Sequence, residues 1–198
     1  MSPVDRGSQP GAWLDRFGVV GSAIWGFAEA TLFFVVPDVM VGAVGLLRPR
    51  KVVLAALAAV GGALVGGTVL YLVARGTGPG LRDVMHGIPT ITLSMLEEAR
   101  RGLVEHGGVA MLQSQWIPYK LFVTEWGLLG WDLVALLGWT IVDRSSRILV
   151  VGLGAAVLGI LMRRPIGAHP VLWSTAYLVA WAGFYAWYWT VLLPDRFG

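Results

Sequence analysis

Cysteine is absent from the 198 residues, which excludes disulfides, thiolate nucleophiles and cysteine-held metal or redox centres. Charge is scarce too: Asp, Glu, Lys and Arg make up 14% of the chain, against about a quarter in ordinary soluble domains. The three histidines, His86, His106 and His169, stand apart. Neither H-E-x-x-H, nor G-x-S-x-G, nor a phosphate-cradling loop occurs, so no catalytic constellation can be named. We therefore expect a protein that is not an enzyme and that uses no metal or other cofactor. No composition shift or low-complexity linker marks off a second domain.

What is there is apolar. The hydrophobic fraction is 56% and the mean hydropathy +0.69, more apolar surface than a soluble core of this length buries. A bilayer is the natural solvent for it. The net charge of +3 comes from bases gathered between apolar runs: Arg48, Arg50 and Lys51, then Arg100 and Arg101, then Arg163 and Arg164. Membrane loops look like this and nucleic-acid surfaces do not, so nucleic acid is excluded as a partner. Residues 1–16, with Pro3, Asp5, Pro10 and Asp15, read as a polar tail instead of a cleaved signal.

Residues 17–47 form a largely apolar run that would measure roughly 46 Å as one helix, against about 30 Å of bilayer hydrocarbon. Pro37 breaks it, and the arm after the break reaches only about half-way through a bilayer. A re-entrant hairpin fits both features; a tilted, kinked single span is the plainer alternative. Residues 52–74 read as a clean span with small residues at Ala58, Gly62 and Gly66, the spacing that lets helix backbones approach. Ser94-x-x-Glu97 reads as a capping box for a short amphipathic helix over 94–106, lying on the membrane surface with Leu96, Ala99 and Leu103 as its apolar stripe.

The stretch 108–131 is apolar but studded with Gln113, Gln115, Pro118, Lys120 and Glu125, a second broken segment. Leu133 to Val142 reads as a short arm, 143–147 as a polar interruption and 144–162 as a true span, with Gly152 and Ala156, and Ala155 and Gly159, at close-packing spacing. The last span, 169–193, carries Trp173, Tyr177, Trp181, Tyr185 and Trp189 at steps of four. Such a stripe reads as a packing or lipid-facing surface, without a ligand.

A charge near mid-bilayer costs from about 2.5 kcal/mol upward, so charges within apolar segments are functional candidates. Glu29, Asp38, Lys120 and Glu125 qualify. Apolar surroundings favour the protonated form of Glu29, which makes it a candidate proton carrier; the plainer alternative pins it to a base. Asp38 follows Pro37 and is either an N-cap or a second proton or substrate contact. Lys120, beside Pro118, either receives an anion such as a phosphate or snorkels to the interface. Arg144 and Arg147, three apart, either hold a phosphate or anchor the end of a span. Gln115 and Tyr119 flank the second break as candidate substrate contacts.

Glu29, Pro37-Asp38, Arg48-Pro49-Arg50-Lys51, Gly62 to Gly66, Tyr71, Arg75-Gly76, Ile117-Pro118-Tyr119-Lys120 and Gly127, in that order, resemble the DedA family. Its members are also called SNARE-associated Golgi or VTT-domain proteins. The resemblance spans about residues 25 to 160. It implies an all-α integral membrane protein with two opposed re-entrant hairpins related as an inverted repeat, in the plasma membrane of a bacterium. It also implies translocation of a lipid, a polyprenyl phosphate or phospholipid, linked to protons, with the anionic phosphate headgroup as partner and oligomers allowed. By motif position Glu29 is the membrane carboxylate of the first arm and Asp38 the acid at its tip. The family's usual arginines three before and three after the second proline are Gln115 and Leu121 here, which leaves an anion site to Lys120, Arg144 or Arg147. A proton-coupled carrier of a small solute or ion, and a membrane scaffold that transports nothing, are the rival expectations.

Overall fold

The computed structural model describes residues 12–32, 34–88, 90–114 and 116–197, with side chains between 17 and 195. The described residues are mostly helical, with no strand among them. The first helix, α1 (Ala12–Thr31), starts inside the expected tail. It ends before Pro37, and α2 (Asp38–Leu47) follows. The two do not lie mainly on each other: α1 packs along α3 (Val52–Thr77) and α2 along α8 (Leu133–Leu161).

Glycine sets how close these pairs come. A Cβ at Gly26 would run into the Ala59 carbonyl, and one at Gly62 into the Ala23 carbonyl, so α1 and α3 touch backbone to backbone. Between α2 and α8 the same part is played by Gly45, against the Gly152 carbonyl, and Gly159, against that of Leu46. The small-residue spacing read from the sequence is thus used twice, on different partners.

A 3-10 turn, Pro49–Lys51, leads into α3, and α4 (Gly80–His86) follows. The amphipathic helix is α5 (Leu93–His106), and its cap is Thr92, whose hydroxyl accepts from the Met95 amide at 3.3 Å. Ser94 lies inside the helix, so the expected capping box does not form. The stripe Leu96, Ala99 and Leu103 is fully buried and packs toward α7 (Tyr119–Leu128), so protein covers the face expected to meet lipid. The second break separates α6 (Val109–Gln113) from α7 at residues 114–118. Gln115 lies outside the described residues.

The expected interruption at 143–147 is absent. Helix α8 runs unbroken for 29 residues, capped by Asp132, which accepts from the Ala135 amide at 2.8 Å. Arg144 pairs with Glu29 of α1 and Arg147 with Asp38 of α2, so these charges need not break the helix for solvation. After α9 (Arg163–Ala168) come α10 (Pro170–Trp187), a π-helical turn (Tyr188–Leu192) and α11 (Leu193–Phe197).

Among the described residues, three helices are long and apolar enough to cross a membrane: Pro49–Thr77, Leu133–Leu161 and Pro170–Asp195. Their outward faces carry Leu54, Leu57, Val65, Leu72, Val150, Val157, Leu172 and Val179, all exposed, a surface that suits lipid and not water.

Candidate functional site

Both chain breaks open onto one cavity of about 230 Å³. Its charged lining is three acids, Glu29, Asp38 and Asp143, and three bases, Lys120, Arg144 and Arg147. Four elements deliver them. Glu29 sits in the last turn of α1, Asp38 opens α2, Lys120 opens α7, and the other three come from the middle of α8. Arg144 lies roughly 17 Å from the start of α8 at 1.5 Å per residue, far from either end of the span.

Glu29 and Arg144 form the deepest pair, 4% and 1% exposed, with Arg144 Nη2 donating to Glu29 Oε1 at 3.1 Å. Arg144 Nε stands 3.6 Å from Asp143 Oδ2. Its guanidinium also lies 4.2 Å from the centroid of the Tyr119 ring, a cation-π contact. The Tyr119 hydroxyl is 2.7 Å from Thr140 Oγ1. Thr140 spends its own proton on the Leu136 carbonyl, so Tyr119 is the donor. That chain of contacts fixes the ring and, through it, the guanidinium.

Asp38 and Arg147 make the second pair, with Arg147 Nη2 3.2 Å from Asp38 Oδ2. The contact is close but not aligned as a hydrogen bond. Asp38 is not an N-cap, since no side chain caps α2. Lys120 is buried, 4.2 Å above the Phe34 ring, and does not snorkel to an interface. Arg144 and Arg147 are mid-helix, so neither anchors the end of a span.

Around this cluster several buried polar atoms lack an aligned hydrogen-bond partner among the described residues: Glu29 Oε2, both carboxylate oxygens of Asp38, Arg144 Nε, and Arg147 Nε and Nη2. A buried atom left in that condition costs about 1–3 kcal/mol. Their concentration on one cavity makes it the candidate functional site.

Glu125 belongs elsewhere. It is buried on the far part of α7, held by Arg82 Nε at 2.7 Å and Arg100 Nη1 at 3.2 Å, and does not line the cavity. It ties α7 to α4 and α5. Pro118 lines the cavity, whereas Pro37 acts through the chain break, its carbonyl accepting from the Val41 amide.

Two members of the aromatic stripe, Trp181 and Tyr185, join Phe184 and Tyr188 of the same span in one wall of the cavity. The Tyr185 hydroxyl accepts from the Val36 amide at 2.8 Å, while those of Tyr177 and Tyr188 donate to the carbonyls of Val39 and Trp116, each at 2.8 Å. All three therefore pin backbone groups in or beside the two breaks. The sequence held one sign of this: hydroxyl-bearing rings recur along a stripe where pure packing would be served by Phe and Leu.

No family model, curated protein or solved structure matches the chain.

Proposed function

We propose that the protein translocates the phosphate headgroup of a membrane lipid, a polyprenyl phosphate or a phospholipid, by exchanging protons for the anion at the Glu29–Arg144 and Asp38–Arg147 pairs. The observation that carries this reading is the balanced set of buried acids and bases on one cavity between two broken helices. A phosphate cannot join a lining whose bases are already matched by carboxylates. Protonation of Glu29 or Asp38 removes one negative charge and releases a guanidinium, which then donates two N–H groups to phosphate oxygens. Loss of the proton on the other side restores the carboxylate, which displaces the anion. Lys120 adds a third cation at the lip of the second break.

Size supports a headgroup and not a whole lipid. About 230 Å³ is below the roughly 300–1,000 Å³ of pockets that enclose drug-sized ligands, so the acyl or prenyl tail would remain in the bilayer. Irregular backbone at membrane depth is tolerated where it lines such a cavity, and in this reading the two breaks are re-entrant hairpins entering from opposite faces. The DedA-like order of motifs points the same way.

The test is transfer of a fluorescent phospholipid and of undecaprenyl phosphate in proteoliposomes, with and without a proton gradient. The intact chain should transfer at least one of them faster in the gradient. Glu29→Gln should lose the response to the gradient, and Lys120→Ala should slow transfer about tenfold or more, as expected when a charge-assisted hydrogen bond to the anion is lost. No transfer above empty vesicles would turn the reading toward a small-solute carrier or a scaffold, and full gradient-driven transfer by Glu29→Gln would remove Glu29 as the proton site.

A further inference from the structure

A second cavity, of about 920 Å³, lies where the three apolar helices share an end. The span Pro49–Thr77 begins there, Leu133–Leu161 finishes there, and Pro170–Asp195 begins there, so the groove sits at the edge of whatever apolar slab those helices cross. Arg48, Arg50, Lys51 and Arg163 line it, and among its described lining residues there is no Asp or Glu. Between the bases the lining is apolar: Leu46, Leu47, Ile160 and Ile166. Packing of Gly159 onto the Leu46 carbonyl holds the two sides of its floor together.

We propose that this groove docks the phosphate headgroup of an anionic phospholipid, held by Arg50 and Arg163 while the upper part of an acyl chain lies along Leu47 and Ile160. A free phosphate would use the charges alone. A lipid also uses the apolar lining and the outward side chains that continue below it, Val157 at 56% exposure and Leu153 at 45%. Basic pockets between helices at the cytoplasmic edge of a bilayer recognise lipid headgroups by this combination. No residue lines both this groove and the central cavity, so the site is one of residence and not of passage, and it stands apart from the translocation reading.

The experiment uses the full chain in a non-ionic detergent, with thermal unfolding and native mass spectrometry in the presence of phosphatidylglycerol, phosphatidylcholine or inorganic phosphate. Phosphatidylglycerol should raise the melting temperature by several degrees and remain bound in the gas phase, and the other two should do neither. Arg50→Gln with Arg163→Gln, both exposed positions, should melt like the intact chain without lipid and bind phosphatidylglycerol about tenfold more weakly. Arg101→Gln, an equal loss of charge from exposed α5, and Glu29→Gln should keep the full shift. Should the double variant fail to fold, Arg50→Gln alone, read by native mass spectrometry, carries the same expectation. An equal shift from phosphatidylcholine, a shift reproduced by inorganic phosphate, or an undiminished shift in the arginine variants would overturn the proposal.

Discussion

A carboxylate and a guanidinium taken out of water each carry a penalty of several kcal/mol, which their mutual attraction repays only when the pair is intact. Glu29 and Arg144 are in that condition, 3.1 Å apart and almost wholly buried. Removing one partner should therefore hurt more than removing both. Arg144→Met should cost about 3–5 kcal/mol because Glu29 is left charged and alone, and adding Glu29→Gln should restore most of that stability. Transfer should be absent from both variants. Melting temperatures of the detergent-solubilised proteins read this out; a double variant no more stable than Arg144→Met would mean the two residues are not coupled. The sequence made Glu29, Asp38 and Lys120 conspicuous because charge inside an apolar run is expensive. It made Glu125 equally conspicuous, and nothing in its spacing reveals that Arg82 and Arg100 satisfy it away from the cavity. The partner of Glu29 lies 115 residues away, a separation at which local pattern carries no information.

At the scale of elements, proline and glycine were the readable punctuation. Pro37 and Pro118 mark the two breaks because neither can donate to the helix before it. The interruption expected at 143–147 is absent for the converse reason: local polarity suggests a loop, but long-range ion pairs let a helix carry the same residues through its middle. Glycines differ among themselves in a way only the packing reveals. Gly61 and Gly62 are neighbours in α3, yet a Cβ at Gly61 meets nothing within 4 Å while one at Gly62 strikes the Ala23 carbonyl. Gly61→Ala should leave stability unchanged or raise it by up to about 1 kcal/mol through helix propensity. Gly62→Ala should lower it by about 1–3 kcal/mol, since α1 must move away from α3 to make room. Thermal unfolding of the two single variants checks the pair, and equal behaviour would show that α1 and α3 are not in close backbone contact.

For the molecule as a whole, the walls of the central cavity are unequal. Helices α1, α2, α3, α7 and α8 interlock through glycine contacts and buried clusters. The last span, in contrast, is only 11% buried along its most apolar stretch and meets the rest through the hydroxyls of Tyr177, Tyr185 and Tyr188 and through Leu193. A wall held by a few hydrogen bonds swings at far lower cost than one held by interdigitated backbone. The last span's Trp181, Phe184, Tyr185 and Tyr188 line the charged cavity, so under the proposed function its movement would let a tail remain in the bilayer while the headgroup enters. The absence of cysteine makes this testable without background. A Cβ at Gly42 would run into the Tyr177 hydroxyl, so the two backbones stand about one phenol length apart, and replacing both residues by Cys relieves that clash. A thiol-specific cross-linker of that length should join α2 to α10 in Gly42→Cys/Tyr177→Cys. Cross-linking should abolish lipid transfer in proteoliposomes, and reductive cleavage of a disulfide-containing reagent should restore it. Transfer that continues at full rate in the cross-linked protein would mean that α10 is a fixed wall and that a headgroup reaches Arg144 and Arg147 by another opening.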